Sequence, residues 1–344
     1  MLSLPALMLA AVSSMSAQGT NIVIKAGRLV DGKGGVVRNA TISIAGGKIV
    51  AIGNRRGAAT YDLSRYTVLP GLIDGHDHIG WHFNRDDRFH TAADGETPAD
   101  EALAAAGNAY TTLLAGWTTI ASPGSNADAG IRDAIARGVI PGPRVLTSLD
   151  PLSSNRLSPD SIRAVIRRRK AAGADFIKIF ASASIRDGGT QTWSDEQLAA
   201  GCGEAKSIGL RTMIHAHSAE SMRAATLAGC TQIEHGVFAT QEVLDLMAQH
   251  GTWFDPQCGL VFNNYLDNRA KYDGIGNYNA AGFASMEKAL PIAANVIRMA
   301  SRTKGLKLAF GTDAVAGAHG HNADDLTCRA REGGQYPMDV IRSA

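Results

Sequence analysis

Short apolar runs separated by glycine turns open the readable part of the chain. Asn21–Ile24, Ala40–Ile44 and Ile49–Ile52 read as strands, with turns at Asp31-Gly32 and Gly46-Gly47. From about Tyr66 the rhythm changes, and apolar runs alternate with stretches of helical period. Eight runs read as strands: Thr67–Asp74, Trp117–Ala121, Arg144–Thr147, Phe176–Phe180, Arg211–His215, Gln232–His235, Trp253–Asp255 and Lys307–Gly311. Between them, Asp100–Leu114, Ser158–Ala171, Ser194–Ser207, Ala219–Ala228, Gln241–Gln249 and Phe283–Thr303 read as helices. Ser158, Ser194 and Ser218 stand where helix caps belong. Alternating strand and helix is the signature of a parallel α/β fold, and eight repeats is the count of a (β/α)8 TIM barrel. A doubly wound sheet is the alternative. The pattern divides the chain into residues 1–19, residues 20–66 as the N-terminal part of a small β-sandwich domain, and residues 67–344 as the barrel.

Composition narrows the class. Apolar residues make up 45% and charged residues 19%, enough for a packed core. Lysine and arginine total 34 against 32 acidic residues, so the net charge of +2 gives no footprint for nucleic acid. The segment Leu2–Val12 is apolar and runs into small polar residues, the shape of a secretory signal with cleavage near Ala17. The expected location is therefore secreted or periplasmic, with no membrane association after signal removal. The region before the apolar run lacks Lys and Arg, which is atypical; a buried strand or helix is the alternative. Four cysteines, at 202, 230, 258 and 328, form no C-x-x-C pair, and they read as buried or half-buried thiols.

The chemistry collects at the C-terminal ends of the strands, where barrel enzymes keep their sites. The first strand runs into Gly75-His76-Asp77-His78, the fifth into His215-Ala216-His217, the sixth into Glu234-His235-Gly236, and the eighth into Gly311-Thr312-Asp313. Residues two apart on a strand face one side, so His76 and His78 can grip one ion, and imidazole suits zinc. Lys178 lies inside the apolar run Phe176-Ile177-Lys178-Ile179-Phe180, where a charge is costly unless paired or neutralised. His217 faces the same mouth as His215. His319 and His321 follow the eighth strand on a loop and could bind a substrate carboxylate or oxyanion. His82 and His90 follow the first strand and could line the pocket, whereas His250 reads as structural or surface. The stretch from about Gln257 to Ala281 is long enough to be a functional loop, with Tyr265 and Tyr278 as substrate or lid contacts.

The stretch Val68-Leu69-Pro70-Gly71-Leu72-Ile73-Asp74-Gly75-His76-Asp77-His78 resembles the first-strand motif of the amidohydrolase superfamily, and the later elements follow in that order. The resemblance runs from about Asn21 to the end. It is strongest to the imidazolonepropionase-like branch that includes Xaa-Pro dipeptidases and ochratoxinase-like carboxypeptidases, with His-Ala-His-Ser and Ile-Glu-His-Gly as local matches. It implies two divalent metals, zinc by default. His76, His78 and Asp313 would hold the more buried ion, and His215 and His235 the second. Lys178, as a carboxylated lysine, would bridge both. The implied reaction is cleavage of the amide or peptide bond of a dipeptide or N-acyl amino acid by a metal-bridging hydroxide. Asp313 would be general acid/base, and His217 and His319 would be further catalytic or substrate contacts. The family also suggests a homo-oligomer when full length. Two other readings stay open: a mononuclear hydrolase or deaminase of cyclic amides or amidines, and an inactive metal-binding fragment. The last arises because family members continue beyond the eighth strand to complete the β domain, whereas here a final helix begins near Pro337 and the chain stops at Ala344.

Overall fold

The computed structural model describes residues 21–54, 57–125 and 127–344, in two compact units that divide at Pro70 and Gly71. The expected secretory signal lies outside the described residues.

The first unit is a four-stranded sheet. Strands β1 (Ile22–Val30), β2 (Val36–Ala45) and β3 (Lys48–Gly53) pair antiparallel in sequence order. Strand β4 (Tyr61–Val68) then lies parallel to β1 on its other edge. Leu29, Ala40 and Ile42 form its small buried cluster. The three expected strands are present and longer. The fourth was not expected, because Tyr-Asp-Leu-Ser-Arg-Tyr-Thr-Val carries little apolar alternation and is mostly exposed. Thr67 and Val68, read as the start of the first barrel strand, instead pair with Arg28 and Leu29.

In the second unit, strands and helices alternate. They run β5 (Leu72–Asp74), α1 (Pro98–Leu114), β6 (Trp117–Ser122), α2 (Ala127–Ala136), β7 (Arg144–Thr147), α3 (Pro159–Ala171), β8 (Phe176–Phe180), α4 (Asp195–Ser207), β9 (Arg211–Ser218), α5 (Ala219–Leu227), β10 (Gln232–Phe238), α6 (Gln241–His250) and β11 (Trp253–Asp255). There follow α7 (Leu260–Asp267), α8 (Arg269–Tyr272), α9 (Ala280–Arg302), β12 (Lys307–Leu308), α10 (Ala323–Arg331) and α11 (Pro337–Ser343). The expected caps form: the hydroxyls of Ser158, Ser194 and Ser218 each accept an amide of the first turn of α3, α4 and α5. Each such cap contributes about 1 kcal/mol.

Parallel pairing joins β5, β6 and β7, and separately β8 through β12. Backbone hydrogen bonds carry each set into the other. At one seam, the amide of Leu152 donates to the carbonyl of Lys178 and the amide of Phe180 to Leu152, each at 2.9 Å. At the other, Gly75 donates to Phe310 at 2.8 Å, Asp313 to His76 at 2.7 Å and His78 to Ala314 at 2.8 Å. The result is a mixed α/β unit of TIM-barrel type. The main core lies between strands and helices: Ile177, Ile179, Ile214 and Ile233 pack against Ile162, Ile166, Leu198 and Leu244. The alternation in β8 therefore sends its isoleucines outward to the helices and Lys178 inward.

The cysteines are not thiols. Cys202 bonds to Cys230, and Cys258 to Cys328, with Cα–Cα separations of 5.0 and 5.8 Å. Spacing along the chain could not show this, because the fold alone brings α4 to the start of β10 and the end of β11 to α10. His250 is exposed at the end of α6, as its position before the seventh barrel strand suggested.

Candidate active site

His76, His78, Lys178, His215, His217, His235 and Asp313 line one cavity of about 110 Å³ at the C-terminal ends of the strands. Its remaining walls include Trp81, Phe180, Arg186, Val261, Phe262 and Tyr265. The amide of Asp313 bonds to His76 and that of His78 to Ala314, so the chain beyond β12 zips alongside the chain beyond β5. This sets His76 and His78 on one side. Their Nε2 atoms are 3.1 Å apart and lie 3.3 and 3.1 Å from Asp313 Oδ1. Behind them, the carboxylate of Asp74 accepts from the amide and hydroxyl of Thr312 (3.0 and 2.6 Å) and from Asn322 Nδ2 (2.7 Å), which locks the seam.

On the opposite wall, the ring centroid of His235 lies 4.4 Å from that of His215 and 4.8 Å from that of His217. Three overlapping sets of donors can therefore hold an ion: His76, His78 and Asp313 on one side, His215, His217 and His235 on the other, and His76, Glu234 and His235. Lys178 is fully buried. Its Nζ is 3.3 Å from His76 Nε2 and donates to Glu234 Oε2.

Burial first, and then the charge of Lys178 and the neighbouring rings, pushes the imidazoles of His76, His215 and His235 well below their ordinary range. Burial also takes His217 down to about 3, helped by Arg186 and Lys178. These rings are neutral at physiological pH and keep a lone pair, the state a metal requires. Nδ1 of His78 and of His217 is buried without a hydrogen-bond partner. Buried imidazoles crowded nitrogen to nitrogen, with a carboxylate beside them, match the donor set of a divalent metal centre.

Glu234 was not singled out from the sequence. Strand alternation sends residues 234 and 235 to opposite faces, yet both face this site. The reason is local: His235 and Gly236 take positive φ, 69° and 58°, and the pairing of β10 with β9 shifts register there. A side chain at Gly236 would meet the ring of Phe254 at 2.5 Å, so glycine is required. Burial drives the Glu234 carboxyl up to about 8, against the pull of Lys178. Its Oε1 lies 3.4 Å from His76 Nδ1.

Arg186 was also missed, because it sits on a single 3-10 turn (Ile185–Asp187) after β8 rather than on a strand end. Its guanidinium lies 3.9 Å from the ring centroid of Tyr278 and its Nε donates to Asn277 Oδ1 at 2.7 Å.

Other expected contacts are placed elsewhere. His319 is buried outside the cavity lining, with Nδ1 3.1 Å from Asp77 Oδ1 and Nε2 3.2 Å from the carbonyl of Trp81. Nε2 holds the carbonyl of Trp81, so the histidine braces the loop, while Nδ1 lies near Asp77 without a hydrogen bond. His321 is exposed, 3.7 Å from Asp324. Tyr278 is buried behind Tyr265, at 5.2 Å between ring centroids, while Tyr265 reaches the cavity. The long segment Gln257–Ala281 is largely helical, and α7 supplies Val261, Phe262 and Tyr265 to the cavity wall. His82 and His90 do not line it.

A family profile described as "Amidohydrolase family" matches residues 67–344. Ochratoxinase of Aspergillus niger is 26% identical, over 94% of this chain and 74% of its own. A solved structure of a Xaa-Pro dipeptidase with bound methionine in the active site superposes with a TM-score of 0.83. It is 29% identical, over 94% of this chain and 87% of that one. The solved A. niger ochratoxinase gives a TM-score of 0.78 at 21% identity, over 95% and 83%, and supports the fold.

Proposed function

The chain belongs to the amidohydrolase family and is a hydrolase of carbon–nitrogen bonds, and we propose that it is a binuclear enzyme cleaving an amide or peptide bond next to a free carboxylate. Dipeptides of the Xaa-Pro type and N-acyl amino acids of the ochratoxin type are the substrate classes, in keeping with the two relatives. The observation that carries this reading is the pair of buried donor sets facing one cavity, with Lys178 between them.

His76, His78 and Asp313 would hold one cation, and His215 and His235 the other. Lys178 would bridge them as a carbamate, which trades its buried positive charge for two anionic oxygens. Zinc fits imidazole and carboxylate donors. When bound, such a pair supplies Lewis acidity toward a carbonyl and makes water acidic near neutral pH. Asp313 takes the proton and passes it to the leaving nitrogen. Glu234 orients His76 through Nδ1, and His217 lies beside the His215–His235 pair to position substrate. Arg186 is the cation at the cavity wall and pairs with the substrate carboxylate. Tyr265 and Phe262 supply apolar surface for the side chain. A mononuclear enzyme acting on cyclic amides would leave Lys178 and the His215–His217–His235 set without a role. Two disulfides support export to an oxidising compartment.

The test is turnover of Xaa-Pro dipeptides and N-acyl amino acids after chelation and reloading. Chelated enzyme should be inactive, and zinc should restore it fully only with bicarbonate present. Undiminished turnover after complete metal removal would refute this reading.

A further inference from the structure

We propose that the segment after β5 carries a separate divalent-cation site, built from His82, His90 and Glu96. None of the three lines the active-site cavity. Their donor atoms lie within 4.8 Å of one another. His82 Nε2 is 2.7 Å and His90 Nδ1 2.9 Å from the same oxygen, Glu96 Oε2.

Proton counting argues for the cation. His82 Nδ1 lies 2.9 Å from the carbonyl of Gly80, which only accepts, so that nitrogen carries the proton. A neutral His82 then points the lone pair of Nε2 at a carboxylate oxygen. His90 differs: its Nδ1 lies 2.9 Å from Glu96 Oε2 yet is buried without a hydrogen bond, and its Nε2, 3.6 Å from Glu101 Oε1, is too far away for one. A second proton on His82 would satisfy its contact with Glu96 but would leave His90 Nδ1 buried and unpartnered, and protonating that nitrogen too would put a second imidazolium beside the first. The rings, however, are stacked, with centroids 4.5 Å apart and planes at 18°. Two like charges face to face would repel, with the side chains of His82 and Glu96 only 8% and 7% exposed and that of His90 20%.

One divalent ion between the three donors removes the conflict. It takes both lone pairs, neutralises Glu96 and leaves each ring neutral. The outer nitrogen of His82 is then held as ligating imidazoles usually are, by a backbone carbonyl. Asp94 is not a donor here, since its oxygens accept from Asn84 Nδ2 (2.7 Å) and from the amide and hydroxyl of Thr91 (both 2.8 Å). Two imidazoles and a carboxylate suit zinc. The site would stiffen a segment that matters to the cavity. Trp81, next to His82, stacks on His78 at 4.4 Å and 25° and forms part of the cavity wall.

The experiment uses tag-free full-length chain, saturated with zinc, desalted and assayed for metal by mass spectrometry. Wild type should retain one more zinc per chain than either His90→Ala or the near-isosteric Glu96→Gln. His90→Cys loaded with cobalt(II) should show a thiolate-to-cobalt charge-transfer band that wild type lacks. Should His90→Ala fail to fold, Glu96→Gln and His90→Cys decide. Equal zinc in wild type and Glu96→Gln, with no such band in His90→Cys, would overturn the proposal and leave an imidazolium–carboxylate clamp in its place.

Discussion

His235 and Asp313 are the two candidate ligands at positive φ, 69° and 55°. Left-handed backbone costs a non-glycine residue about 1 kcal/mol or more and persists where the surroundings enforce it. Here it turns His235 toward a face that Glu234 already occupies, and Asp313 away from the path of Thr312. Asparagine tolerates this conformation as well as aspartate does. Asp313→Asn should therefore keep the melting temperature of the metal-free protein while amide turnover falls about a thousandfold, a loss of the size that removing a general acid/base brings. A large drop in melting temperature would instead make Asp313 a structural residue. Arg186 separates binding from chemistry. Arg186→Met should raise KM about tenfold or more for substrates with a free carboxylate, and change it little for the matching neutral amides, since one charge-assisted bond is lost. At this scale, what was legible in the sequence followed strand alternation: His76 with His78, His215 with His217, and Lys178 between isoleucines. Glu234 was hidden by the break in alternation at His235, and Arg186 by its place on an irregular turn.

Helix α10 works through charges rather than apolar packing. Asp325 accepts the amides of Cys258, Gly259 and Leu260 at 3.0, 2.9 and 3.2 Å, capping α7 from outside it. Arg329, fully buried, donates to Asp255 Oδ1 at 3.1 Å and to the carbonyl of Ala309 at 2.7 Å, so it ties β11 to the strand beside it. That is why hydropathy did not reveal this helix: its buried residues are Asp325 and Arg329. The helices with apolar buried faces, such as α3 and α6, were legible to within a residue or two. Between α3 and α4 the link is Arg167 with Glu204, at 2.7 and 3.0 Å to the two oxygens. The hydrogen bond from Arg167 holds the Glu204 carboxyl below its ordinary range. A lowered carboxylate pKa adds stability above the ordinary value and loses it as pH falls through the lowered one. Arg167→Ala should thus melt earlier than wild type at neutral pH, with the gap closing as the pH falls through the lowered value and shrinking in high salt. A gap that persisted in acid would assign the effect to the arginine's packing.

At the scale of the whole molecule, barrel order could be read from the sequence because each repeat is local, a strand followed by a helix. The disulfides could not, because they join parts of the fold that meet only once it has formed. Cys258–Cys328 closes a loop of 70 residues, and the chain-entropy account gives such a bridge about 4 kcal/mol. The Cys258→Ser/Cys328→Ser double variant should lose stability of that order in urea unfolding, and native protein should show no titratable thiol before reduction. That covalent loop contains α7, α8, α9 and Asp313, and so encloses the exposed stretch around Asp273 and Gly274. A protease cutting there would divide the chain without separating its halves. The cleaved protein should migrate as one species on a non-reducing gel and as two after reduction, with both halves of the active site still tethered across the cut.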